Sequence, residues 1–149
     1  SMSRKWFNNQ TPSNIDKNNN EIRTLANDSI KNFINYFDNY KIDKASNEIL
    51  NFAINVNLYL NKKEPWSLIK DDKNINEVKS IIYNVLEATR IIGMLIKPIM
   101  PEFSIKILHQ LGENDIENKD WEERLKWGQL PELFTLPKPI PIINKLDYE

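Results

Sequence analysis

A group of aromatic and amide side chains lies near the middle of the chain. Asn57, Tyr59, Pro65 and Trp66 follow the order Asn-x-Tyr, five residues, Pro-Trp. An indole face stacks on nucleobases, and a carboxamide can form two hydrogen bonds with the edge of a base. The same residue types also have structural roles, because tryptophan fills cores and asparagine binds backbone groups in turns. The group therefore indicates either a base-binding site or a well-packed corner.

The pattern of apolar residues places this group at a corner between two helices. Residues 44–63 carry apolar side chains at steps of three and four, which predicts a helix. Pro65 cannot continue that helix because it lacks an N–H, but it is favourable as the first residue of a new one. We therefore expect Trp66 at the start of a short helix that fades near Asp71, with Pro65 fixing the angle of entry.

The same periodicity predicts the other helices of the chain. The long predicted helices cover residues 20–41, 44–63 and 74–97. A further helix is expected to begin at Pro101 and to end before Gly112, its expected C′ residue. The helix over 74–97 has the widest apolar face, which is typical of a central helix contacted from several sides. Asp43 is expected to cap the second helix. Residues 8–19 are expected to form a mobile loop, and residues 113–127 a short helix or turn.

The composition excludes several kinds of chemistry. The chain has no cysteine and a single histidine, His109, so we expect no thiolate nucleophile, disulfide or histidine metal cluster. Its three glycines do not form a phosphate-binding motif. The carboxylates are scattered on the polar faces of the predicted helices, and no apolar run reaches the roughly 20 residues of a membrane helix. We therefore expect no catalytic residue, no metal site and a cytoplasmic location.

The charge balance argues against binding a nucleic acid through its phosphates alone. The chain has 20 lysines and arginines against 21 acidic residues, for a net charge of −1. Non-specific affinity comes from cations that neutralise phosphates, and this chain supplies few in excess. A nucleic acid would therefore be read by stacking and hydrogen bonding. The cations that we expect near the proposed site are Arg4, Lys5, Lys62, Lys63 and Lys70.

The residues from Asn57 to Lys70 resemble the anticodon-binding domain of methionyl-tRNA synthetase. That family shows Asn-x-Tyr followed by Pro-Trp-x-hydrophobic-x-Lys, and the same order and spacing occur here. A second match runs from Leu95 to Pro101 and is followed by Gln-Leu-Gly at residues 110–112. The resemblance covers most of residues 20–140, and two matches in the correct order are more specific than Pro-Trp alone.

The resemblance implies an architecture. It predicts an all-α bundle of about five helices that forms one domain over residues 1–149. Residues 1–9 correspond to the end of a first helix whose beginning is missing. The proline-rich residues 129–149 correspond to an extended C-terminal tail packed along the bundle.

The resemblance also implies a function. The chain is expected to recognise the CAU anticodon of the methionine tRNA as part of a methionine–tRNA ligase. ATP and methionine bind the catalytic domain of such an enzyme, so the chain alone is expected to be inactive and without a cofactor. Its expected partners are the tRNA and that catalytic domain, with no DNA and no membrane. The implied anticodon-binding residues are Trp66, Asn57 and Pro65, and the implied phosphate contacts are Arg4, Lys5, Lys62 and Lys70.

Two alternatives stay open on the sequence alone. One is the matching domain of a related class I synthetase for isoleucine, valine, leucine or cysteine, which the Pro-Trp pair disfavours. The other is a non-enzymatic helical protein-interaction module, which agrees with the acidic pI of about 5.9. The exposure of Trp66 separates the interpretations, since a fully buried indole favours the interaction module.

Overall fold

In the part of the chain that the computed structural model describes, apolar side chains at helical spacing build four helices of ten residues or more. The structure describes residues 6–7, 10–12, 21–113, 120–131 and 135–136. The helices are α1 (Glu21–Asp38), α2 (Ile42–Lys63), α3 (Pro65–Leu68), α4 (Ile75–Leu95), α5 (Pro101–Gln110) and α6 (Trp121–Arg124), with a 3-10 turn at Asp72–Asn74. The predicted all-α class is confirmed.

Proline and glycine set helix ends where the sequence predicts them. α3 and α5 each begin at a proline, Pro65 and Pro101. After α5, Gly112 adopts a φ of 82°. Its N–H bonds to the His109 carbonyl at 3.0 Å, and the Glu113 N–H bonds to the Leu108 carbonyl at 2.9 Å. This pair of bonds forms a Schellman ending, which satisfies carbonyls that the helix leaves free.

The start of α2 differs from the prediction. Asp43 lies inside the first turn, while Lys41 is the N-cap residue and makes no side-chain capping bond. The reason is the tight reversal before it, where Tyr40 takes a left-handed φ of 61°. The Lys41 N–H then bonds to the Tyr36 carbonyl at 2.8 Å, which closes α1 at Asp38 and brings the next helix forward. The prediction that Asp43 caps α2 was therefore wrong.

The prediction of a central helix is confirmed by α4, which packs against α1, α2, α3 and α5. Buried apolar residues form two main clusters. The first core cluster is Phe33, Ala45, Ile49, Ile91, Met94, Leu95, Leu108 and Leu125. The second core cluster is Ile22, Ala26, Phe52, Val56, Tyr59, Ile81 and Ala88. Each large apolar side chain buried there contributes about 1.5–3 kcal/mol, so α4 supplies stability to the whole bundle.

Residues near the two ends of the described chain meet. Gln10 forms an isolated antiparallel bridge with Thr135, and the buried Thr11 donates its hydroxyl proton to the Pro131 carbonyl at 2.5 Å. Residues 10–12 are thus tied to the C-terminal segment, so the predicted mobile loop is wrong for them. Leu130 and Leu136 are buried. Residues 132–134 and 137–149 of the predicted tail, and residues 1–5 and 8–9 of the predicted first helix end, lie outside the described residues.

Candidate nucleic-acid interface

The corner between α2 and α3 is fixed by backbone geometry. The residue before a proline avoids the right-handed helical conformation, so α2 must end before Pro65. Glu64 instead takes the left-handed conformation, with a φ of 49°. Its N–H bonds to the Leu60 carbonyl at 3.1 Å, and its own carbonyl accepts the Ser67 N–H at 3.0 Å. A left-handed conformation costs a non-glycine residue about 1–2 kcal/mol, so the surrounding contacts must hold it in place.

Two further contacts anchor α3 to the bundle. Pro65 is buried, and Leu68 packs against the second core cluster. The Asn74 side chain donates from Nδ2 to the Leu68 carbonyl at 3.3 Å. With both neighbours held inward, Trp66 keeps 39 % of its surface exposed. Trp66 is therefore not fully buried, and this exposure is compatible with a stacking platform.

Asn57 is exposed near the C-terminal end of α2. Its side chain makes no hydrogen bond within the part of the chain that the structure describes. The bonding to backbone groups at the Pro65 turn, which was the structural alternative for this residue, is not present there. The Asn57 amide has both its donor and its acceptor available to a ligand.

The cations near Trp66 fall into two groups. Lys63 pairs with Glu21 at 3.7 Å and lies 5.9 Å from the centre of the Tyr59 ring, and Lys73 pairs with Asp71 at 3.5 Å. Lys62 and Lys70 are exposed and form no such contact among the described residues. The predicted contacts Arg4 and Lys5 lie outside the described residues, so Lys62 and Lys70 are the cations that this surface offers.

Tyr59 supports the corner from inside. Only 8 % of its surface is exposed, and its hydroxyl accepts a hydrogen bond from Nδ2 of Asn84 at 3.1 Å. Burial raises the pKa of the Tyr59 hydroxyl; the bond from Asn84 opposes the shift, and Glu21 and Glu77 add to it. Tyr59 therefore stays neutral at physiological pH and supports the corner through this hydrogen bond.

The sequence analysis missed a buried ion pair on α4. Glu87 and Arg90 are both fully buried, with Nη2 of Arg90 2.5 Å from Oε1 of Glu87. This corrects the expectation that the carboxylates lie on polar helix faces. The available signal was two opposite charges three residues apart inside the most apolar stretch of the chain. The pair also binds the segment after α6, because Arg90 donates to backbone carbonyls there and Glu87 accepts from backbone N–H groups.

Geometry and comparison together identify the class of protein. The fold is an α-helical bundle with an exposed tryptophan at a proline corner, and the family model described as the anticodon binding domain of methionyl tRNA ligase matches residues 11–146. The chain belongs to that family of anticodon-binding domains. Its resemblance to the family, expected from the motifs around Trp66 and Pro98, is confirmed.

Individual relatives agree with the family match. The methionine–tRNA ligase of Sulfolobus acidocaldarius is 32 % identical over 99 % of this chain and 28 % of its own length. That of Fusobacterium nucleatum is 28 % identical over 99 % of this chain and 24 % of its own length. The fold matches the free-state methionyl-tRNA synthetase of Mycobacterium tuberculosis with a TM-score of 0.86 at 24 % identity, over the whole chain and 30 % of that protein.

The chain thus spans less than a third of the length of these relatives. The alternative of an unrelated protein-interaction module is not favoured, because the family match covers nearly the whole sequence. None of the helices in the described ranges combines the length and apolar character needed to cross a membrane.

Proposed function

We propose that this chain reads the CAU anticodon of the methionine tRNA for a longer methionine–tRNA ligase of which it is a part. The observation that carries the proposal is Trp66, which is exposed at a corner whose neighbours Pro65 and Leu68 are held inward. A stacking surface for an unpaired base must face solvent before the RNA arrives and must be held in place by its surroundings. In this proposal the catalytic part of the ligase binds ATP and methionine, and this chain contributes recognition without chemistry.

In this proposal the predicted site residues contribute different parts of recognition. The indole supplies stacking, which is tolerant of base identity. The free carboxamide of Asn57 supplies hydrogen bonds that depend on the base edge. Lys62 and Lys70 supply contacts to phosphates, which position the RNA without reading its sequence. This division suits a chain with a net charge of −1.

Titration of the full-length protein with RNA stem-loops tests the proposal. We expect a stem-loop with a CAU anticodon to bind more tightly than one with a single changed anticodon base. A lost base contact is worth about 1–3 kcal/mol, so the difference should be about tenfold to a hundredfold in Kd. Equal affinity for the two stem-loops would contradict anticodon recognition by this protein.

The salt dependence of binding tests the two free lysines. Each contact between a lysine and a phosphate of single-stranded RNA contributes about −0.7 to the slope of log K against log salt. We therefore expect Lys62→Ala and Lys70→Ala each to make the slope shallower by about 0.7. Lys73→Ala is the matched control, because Lys73 already pairs with Asp71. A slope that Lys62→Ala and Lys70→Ala leave unchanged would remove these residues from the interface.

A further inference from the structure

A buried polar pair joins α4 to the part of α2 that leads into the proposed site. Nδ2 of Asn84 donates to the Tyr59 hydroxyl at 3.1 Å, and the two residues are 3 % and 8 % exposed. Tyr59 lies one turn before α2 ends, and Asn84 lies in the middle of α4. A hydrogen bond is directional, so this bond fixes how the end of α2 is placed along and around α4.

The corner that carries Trp66 rests on the same contacts. The Leu60 carbonyl, one residue after Tyr59, accepts the N–H of Glu64. Leu60 and Leu68 both pack against the second core cluster, to which Tyr59 belongs. A shift of Tyr59 would therefore also move Glu64, the left-handed residue at the corner. It would likewise move Leu60 and Leu68, which lie on either side of Trp66 in the chain.

The Tyr59–Asn84 pair stabilises the interface between α2 and α4 less than apolar side chains could. Oδ1 of Asn84 is buried and has no hydrogen-bond partner among the described residues. An unpaired buried polar atom costs stability, whereas two apolar side chains of similar shape can be neutral or stabilising at such a position. Packing alone thus does not account for an asparagine here, while a requirement for one orientation of α2 on α4 does.

We infer that Asn84 is a positioning residue for anticodon binding, which acts through its bond to Tyr59 to hold the α2–α3 corner in the orientation that presents Trp66. This inference rests on the proposed function, because it assigns the support of that same site. Asn84 is buried and does not itself touch the RNA.

The double variant Tyr59→Phe/Asn84→Leu in the full-length protein tests the inference. It removes both polar partners, so the melting temperature should stay close to that of the wild type. Binding of the CAU stem-loop should nevertheless weaken by roughly two- to thirtyfold, the usual range for a residue that acts on a site through others. Tyr59→Phe alone removes a single oxygen and serves as the second variant if the double variant packs poorly. It leaves Nδ2 of Asn84 without its partner, so its melting temperature should fall and its affinity is measured at a temperature where the protein is folded.

The matched control is Tyr83→Phe, on the neighbouring residue of α4. The Tyr83 hydroxyl donates to the Leu130 carbonyl at 2.7 Å and is likewise buried, but it faces the C-terminal segment. Its loss should lower the melting temperature and leave stem-loop affinity unchanged. A loss of affinity in Tyr83→Phe equal to that of the double variant would overturn the inference, since any weakened bundle would then bind poorly.

The decisive comparison repeats the double variant in a Trp66→Ala background. If the buried bond acts through Trp66, it should cause no further loss of affinity there. If the double variant loses the same affinity with Trp66 present and with Trp66→Ala, the inference is overturned. It is also overturned if Trp66→Ala weakens binding while the double variant binds as the wild type does. If Trp66→Ala has no effect by itself, the proposed role of the tryptophan fails and the inference fails with it.

Discussion

Replacement of Arg90 by methionine is expected to lower the free energy of unfolding by about 3–5 kcal/mol, the cost of leaving one charge of a buried pair without its partner. The Glu87 carboxylate would stay fully buried after the change. Arg90 also donates to the carbonyls of Arg124 and Lys126, at 2.5 and 2.9 Å. Those two backbone acceptors lose their partner as well, so the loss reaches beyond the ion pair. Chemical denaturation of Arg90→Met against the wild type measures it.

The structure offers a matched control for this variant. Lys126 and Glu123 form an ion pair with the same three-residue spacing at 2.9 Å, but both side chains are well exposed. Lys126→Ala is therefore expected to cost no more than about 0.5 kcal/mol. The Glu87→Leu/Arg90→Met double variant should be more stable than Arg90→Met alone, because no lone charge is left. If Arg90→Met were as mild as Lys126→Ala, the buried pair would not hold the segment in place.

The double variant should still be less stable than the wild type. Glu87 accepts hydrogen bonds from the N–H groups of Gly128 and Leu130, at 3.1 and 2.9 Å. A leucine at position 87 leaves these donors unpaired, at about 1–3 kcal/mol for each that stays buried. The ion pair is thus a connector between α4 and the chain after α6, and apolar packing cannot replace it.

Trp66→Ala is expected to weaken binding of the CAU stem-loop to the full-length protein by about tenfold to a hundredfold. This range corresponds to the loss of about 1–3 kcal/mol of stacking on a base. Trp66→Phe should lose less, because a smaller aromatic face remains. The slope of affinity against salt concentration should stay the same, since no phosphate contact is removed.

Melting curves of the same variants separate stacking from packing. With 39 % of its surface exposed, Trp66 should contribute less to the core than a buried tryptophan, whose replacement by alanine costs about 3–5 kcal/mol. Trp121→Phe is the control, because Trp121 packs on the first core cluster and donates to the Met94 carbonyl at 2.5 Å. It should lower the melting temperature and leave the affinity of the folded protein unchanged. A large fall in melting temperature for Trp66→Ala with normal binding would contradict the stacking hypothesis.

The helices could be predicted from sequence because apolar periodicity and proline act locally. Pro65, Pro101 and Gly112 each set a helix end within a residue or two of the expected position. The left-handed residues Tyr40 and Glu64 could not be predicted in this way. Neither residue type favours that conformation. At Glu64 the following proline disfavours the right-handed helix without selecting the left-handed alternative. At Tyr40 the conformation goes with local backbone bonds that close α1, in a residue whose side chain is exposed.

The site was only partly predictable for a related reason. The spacing of Asn57 and Trp66 is a local feature, and their exposure is compatible with the predicted role. The support from Asn84 is not local, since it joins residues 25 positions apart on two helices. Lys62 and Lys63 are adjacent in the sequence, yet one is free and the other is paired with Glu21. That difference comes from the packing of α1 against α2.

The contact between Thr11 and Pro131 has a consequence for the order of folding. These residues are 120 positions apart, whereas α1, α2 and α4 follow one another closely in the chain. Contacts between distant positions must overcome the entropy of closing a long loop, so they tend to form after local ones. The helices can therefore assemble first, and the segments around Thr11 and Pro131 close on a bundle that already exists. The Thr11–Pro131 contact is therefore expected to close last, and its loss should leave the helices assembled.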